Sequence, residues 1–246
     1  MSARLKMPSL RSPASRRTRR HKPFTPKLEA LEARTTPVCV GPITTCFLNQ
    51  AYLDLLGRPV DPGGLAGWTD ALNRGVSRTQ VVLGITQSQE YRALAVQQTF
   101  VTFLRRQAEP AALAFFTAFI TTASIEQMQS LVLGSAEYIA VRGGGTPLGF
   151  LNALFLDVLG RPVDPAAAQA FSQALALGVP PPNIALTVIT STEGATILVD
   201  SLYRQFLRRP ADSTGLIAFV TALQSGSRRE QVIAIIVGSD EYLARL

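Results

Sequence analysis

Four arginines and four acids recur at one spacing: Arg58 with Asp61, Arg106 with Glu109, Arg161 with Asp164, and Arg209 with Asp212, each acid three residues after its arginine. Carboxylates in such numbers could serve as a general acid and base, or hold a cation. Arginines repeated along a fold could form a stripe that binds acidic glycans or phosphates. The repetition itself argues against catalysis, because an active site is built once, whereas a residue needed by the backbone recurs in every unit. Calcium is not expected either, since each loop offers one carboxylate beside an arginine and no Asp-x-Asp-x-Asp-Gly run occurs. Asp61, Glu109 and Asp164 stand directly before a proline. An acidic N-cap followed by Pro at the first helical position satisfies orphan amides and presets the backbone, so these three and Asp212 read as helix caps. Arg58, Arg106, Arg161 and Arg209 read as partners of the preceding helix end and of the acid three residues on, with an interaction stripe as the alternative.

Other chemistry has little to stand on. The single histidine, His21, lies in a basic N-terminal stretch, so no Ser-His-Asp triad or histidine metal cluster can be assembled in the fold. Gly143 to Gly145 lack the Lys-Ser/Thr of a phosphate loop. Cys39 and Cys46 could close a small disulfide loop in an oxidising compartment, but we read them as unpaired thiols. The expectation is a nonenzymatic chain with no catalytic, cofactor or metal residue.

The elements that carry these residues form a repeat. Leu56-Gly57-Arg58-Pro59-Val60-Asp61-Pro62 returns at 159–165, more weakly at 207–212, and in degenerate form at 104–110. The arginines step by 48, 55 and 48 residues, and a 103-residue shift maps the first pair of units onto the second. Aromatics keep fixed offsets: Tyr52, Phe100, Phe155 and Tyr203 precede the arginines, and Trp68, Phe116, Phe171 and Phe219 follow the acids. Each unit closes on a Ser-x-Glu element at Ser88, Ser135, Ser191 or Ser239, with tyrosine next except at Gly194.

These landmarks imply helices. One starts after each acid and turns Leu65, Trp68 and Leu72 inward in the first unit, ending near Gly75, Gly178 or Gly226. A second starts near Ser77, Ser124, Pro181 or Arg228, and a third, capped by the closing serine, runs into the next arginine loop. No stretch alternates as a strand would. We therefore expect an all-α helical repeat of four units of about three helices. They would be paired in two lobes, 43–141 and 148–246, joined by a glycine-rich linker at 142–147.

The net charge of +7 is unevenly placed: residues 1–34 hold ten Lys and Arg against two Glu, leaving the rest of the chain at −1. Residues 1–42 read as a disordered basic tail. They lack the apolar core of a secretory signal, and no run is long enough to span a bilayer. Lys27 to Pro37 resembles a leader of pattern LExLExRxxP that precedes many predicted exported bacterial proteins.

The repeat itself resembles the bacterial domain-of-unknown-function family 4214, in which an aromatic helix leads to Leu-Gly-Arg-Pro-x-Asp-Pro-x-Gly-Leu-x-x-Trp, then Leu-x-x-Gly-x-Ser-Arg and Ser-x-Glu-Tyr. Residues 47–91 carry the fullest version and 148–246 look like a second, paired copy; Gln107 and Glu109 depart from it. The resemblance implies a helical pattern similar to phycobilisome linker domains, and a setting on exported or surface proteins. It implies no activity for any residue. A protein or cell-surface component is the expected partner of an exported or cell-envelope module. The alternative is an intracellular, cytoplasmic scaffold whose residues 1–34 bind nucleic acid or an anionic lipid surface.

Overall fold

The computed structural model describes residues 41–246, and every regular element among them is a helix. In chain order these are α1 (Ile43–Leu56), α2 (Pro62–Asn73), α3 (Arg78–Thr86), α4 (Gln89–Leu104), α5 (Pro110–Phe119), α6 (Ile125–Leu133), α7 (Ala136–Val141), α8 (Pro147–Leu159), α9 (Pro165–Ala176), α10 (Pro181–Ile189), α11 (Thr192–Leu207), α12 (Ser213–Gln224), α13 (Arg229–Val237) and α14 (Asp240–Ala244). The expectations for the tail, the leader-like stretch, His21 and Cys39 fall outside the described residues.

Local signals account for the boundaries. Ser77 and Ser124 form capping boxes with Gln80 and Gln127, satisfying amides that would otherwise be orphaned at the starts of α3 and α6. Ser88, Ser135, Ser191 and Ser239 cap α4, α7, α11 and α14 through the amide three residues on. Gly57 and Gly160 end α1 and α8 in the left-handed region at φ 70° and 69°. Arg105 and Arg208 occupy the same position in the other two units at φ 58°, a conformation that costs a side chain about 1–2 kcal/mol.

Two hydrophobic cores result, and they do not follow the expected lobes. One gathers Phe47, Leu48, Val81 and Ile85 from α1 and α3 with Val199, Phe206, Val232 and Val237 from α11 and α13. The other gathers Val96, Phe100, Met128 and Leu133 from α4 and α6 with Leu151, Leu154, Ile184 and Val188 from α8 and α10. Units one and four therefore share a core, as do units two and three. The sequential lobes 43–141 and 148–246 are corrected to this crossed pairing, and the reason lies in α4 and α11. Each runs unbroken for 16 residues, about 24 Å, which carries the next unit away from the one before it. The glycine-rich stretch at 142–146 is a tight turn between α7 and α8, not a boundary between cores.

The crossed pairing is secured where helices meet. A Cβ on Gly238, at the end of α13, would lie 2.7 Å from the backbone nitrogen of Thr79 at the start of α3. At the equivalent place a Cβ on Gly134, ending α6, would lie 2.3 Å from the nitrogen of Pro182 in α10. Glycine at both positions lets the two backbones approach directly.

Candidate functional site

Each arginine loop is held by a helix from the end of the same unit. Arg58 donates from Nε and Nη2 to the two carboxylate oxygens of Glu90 at 2.6 and 2.7 Å, and from Nη1 to Pro59 O at 3.2 Å and Asp61 Oδ2 at 3.4 Å. Its guanidinium carbon lies 5.4 Å from the centre of the Tyr52 ring. Arg161 repeats the arrangement with Glu193, Pro162, Asp164 and Phe155, as does Arg209 with Glu241, Pro210, Asp212 and Tyr203. Arg106 grips Glu137 at 2.6 and 2.7 Å and stands 5.3 Å from the Phe100 ring centre. This fork-to-carboxylate geometry suits a planar guanidinium.

The acids divide by length. Asp61, Asp164 and Asp212 accept the amides of Gly64, Ala167 and Gly215 at 2.9 Å, so all three are caps. Glu109 occupies the N-cap position of α5 without a side-chain cap bond, and its carboxylate reaches only to 3.8 Å from Arg106. One extra methylene takes the carboxylate past the amide three residues on, so the cap expected of Glu109 is corrected. The Gly64 amide first, then Arg58, hold Asp61 below the usual aspartate range, and Arg58 does the same for Glu90. Burial opposes both shifts. All four arginines direct Nε, Nη1 and Nη2 into their own unit, so an external anion would have to displace a carboxylate. The serine-proximal glutamates Glu90, Glu137, Glu193 and Glu241 were missed as partners; their constant distance of 32 residues from the arginine, 31 in the second unit, was the available signal.

A second polar group, also missed, lies where the two cores meet. Arg229 at the start of α13 pairs with Glu126 at the start of α6 at 2.8 Å and donates to Gln129 at 3.2 Å. Arg228 donates to the carbonyls of Thr122 and Ala123 at 2.7 and 2.6 Å. Burial would raise the Glu126 carboxyl, but Arg229 overcomes it and holds the group below its ordinary range. Glu230 is 6% exposed with Oε2 lacking a hydrogen-bond partner, and burial, reinforced by Glu126, pushes its carboxyl up. Tyr91 beside them is pushed up to about 12, chiefly by burial. A cleft of about 400 Å³ opens next to this junction between the α12–α13 turn, α10 and α11, lined by Glu126, Leu186, Leu198 and Arg228 among others. Arg228-Arg229-Glu230 stands where the second unit has Ser124-Ile125-Glu126, and this break in the repeat was the sequence signal.

A third set of contacts follows the 103-residue relation. Tyr138 Oη donates to Asp157 at 2.8 Å, linking α7 to α8, and Tyr242 Oη donates to Asp54 at 2.7 Å, linking α14 to α1. Arg142 binds Asp157 through Nε and Nη2, and Arg245 lies 3.5 Å from Asp54. Cys46 on α1 is disulfide-bonded, which corrects its reading as an unpaired thiol. Among the described residues no group of three or more His, Cys, Asp or Glu could hold a metal ion, and no helix is long and apolar enough to cross a membrane.

No curated protein and no solved structure matches the chain. A family match does exist, and it falls on the two stretches that share the first core. Residues 39–95 and 195–246 match the model of DUF4214, a domain of unknown function and the family that the repeats resemble.

Proposed function

We propose that the chain is a noncatalytic helical module for association or surface assembly, carried by an exported or envelope protein. The observation that carries this reading is the use made of the repeated charges. Every Arg58-type guanidinium is engaged by a glutamate and a backbone carbonyl of its own unit, and three of the four acids cap a helix. The residues best placed by sequence to do chemistry thus build the scaffold four times over. The bond at Cys46 supports an oxidising location, since disulfides persist there and are rare in the cytosol. The leader-like pattern of residues 27–37 points the same way.

A second reading draws on one observation, the +8 charge of residues 1–34, which suits nucleic acid or an anionic lipid surface. Cell fractionation with mass-spectrometric determination of the N-terminus separates the two. The export reading expects a chain starting near Thr35 to Cys39 in the envelope or medium. An intact chain in the cytoplasm overturns it and makes salt-dependent nucleic-acid binding the next assay.

A further inference from the structure

The repeat pairs 41–142 and 146–246 are each incomplete as folding units. The first contributes α1–α3 to one core and α4–α7 to the other, and the second contributes α11–α14 and α8–α10 in the complementary sense. The close helix contacts at Gly238 against Thr79 and at Gly134 against Pro182 both run between the pairs, as do Arg78 with Asp240, Arg229 with Glu126, and Tyr242 with Asp54. Separated from its partner, either pair would uncover Val81 and Met128, or Val232 and Ile184, all of which are at most 2% exposed.

Covalently, only one turn joins the pairs. Gly144 and Gly145 sit at φ 60° and 72° with open space beyond their Cα atoms, while Gly143 and Gly149 press so close that a Cβ on Gly149 would meet the Gly143 oxygen at 1.9 Å. The turn needs glycine to close, and the helix contacts at Gly238 and Gly134 lie outside it. The 103-residue relation makes the interface nearly two-fold: α3 with α13 is matched by α6 with α10, and Tyr242 with Asp54 by Tyr138 with Asp157. Surfaces related in this way are those of a symmetric dimer written into one chain.

We propose that the interface between the repeat pairs is a homotypic docking surface whose partner is a second copy of this chain, reached by exchange of repeat pairs about residues 142–146. Every contact of the closed chain recurs in the exchanged dimer; only the turn changes. High effective concentration favours closure within one chain when copies are dilute, and crowding on a surface favours exchange. The proposal rests on the association-module reading and supplies its partner, yet its outcome is independent of where the protein resides.

Deleting Gly143 to Gly145 from the full chain removes the turn, so that α7 and α8 can no longer reverse direction. The expected result is a species of twice the monomer mass by light scattering with native helical circular dichroism; a folded monomer overturns the proposal. Should the deletion variant fail to fold, the intact full chain decides. Two differently tagged batches are mixed at high concentration, unfolded in urea and refolded. A species of twice the monomer mass carrying both tags supports exchange, and recovery of singly tagged monomers alone overturns it. A monomeric result leaves the fractionation experiment and the module reading standing, whereas a cytoplasmic, intact chain leaves exchange standing.

Discussion

Among single residues, those legible from sequence are the ones whose partners lie within a turn of helix. Asp164 and its amide are three residues apart, a spacing that local rules cover. Replacing Asp164 with Ala should lower the thermal midpoint by about 2–4 °C, the scale of one lost cap in a domain of this size, whereas Glu109→Ala should leave it almost unchanged. Thermal melts of the two variants side by side check both expectations. Local rules read Glu193 as a favourable charge in the first turn of α11; its hold on Arg161, 32 residues back, is tertiary and leaves only a recurrent spacing in the sequence. The Glu126 and Arg229 pair, 103 positions apart, shows in the sequence only as a break in the repeat that does not name its partner. Their side chains are 13% and 18% exposed. Removing Arg229 alone, as Arg229→Ala, should cost about 3–5 kcal/mol because Glu126 is left buried and uncompensated, and the double variant Arg229→Met with Glu126→Leu should recover most of it. Urea titration measures both.

At the scale of the element, the repeat made starts and stops readable and left their cost hidden. Gly75, Gly178 and Gly226 take the left-handed angle expected of them, at φ 90°, 87° and 97°. The same reasoning marks Arg105 as misplaced, since it ends α4 where Gly57 ends α1. Arg105→Gly should raise stability by about 0.5–1 kcal/mol, the relief of the left-handed penalty less the added freedom of the unfolded chain. Chemical denaturation will show the change, and an unchanged or lower midpoint would show that Arg105 makes a contact worth more than its strain. The inward faces of α2, α5, α9 and α12 are only half covered: Leu65, Trp68 and Leu72 pack against the first core without being sealed in it. Three-and-four spacing identifies which face turns inward, but how deeply it goes depends on what lies opposite.

Over the whole molecule, the helical class, the four units and the 103-residue relation are all written in the chain, while the crossed pairing is not. Val81, Met128, Ile184 and Val232 are equivalent positions, so α3 could satisfy its apolar face against α6, α10 or α13 equally well by pattern. The choice falls to the lengths of α4 and α11 and to the glycines at 134 and 238, whose meaning appears only with the opposing backbone in place. The charges distribute a pH dependence over this frame. Glu90, Glu137, Glu193, Glu241 and the three capping aspartates are all held below their ordinary values. Depressed values in the folded state mean stability that is present above the normal carboxylate range and lost as pH falls below about 4.5. Glu230 has the opposite sign: its raised value makes the fold weaker as pH rises above that range. Glu230→Gln should therefore raise the melting midpoint at pH 7, with the difference closing below about pH 4.5, and melts across that window test the sign.

The bond from Tyr242 to Asp54 also determines how the molecule would carry force. Residues 43–56 and 240–244 lie in one core, whereas the chain enters the second core only along α4 and leaves it only into α11. Tension applied at residues 41 and 246 is borne first by the seam between α1 and the last helices, and the inner core is shielded until that seam parts. Extension then proceeds in two steps from the outside in, so the module lengthens under load while half of it stays folded.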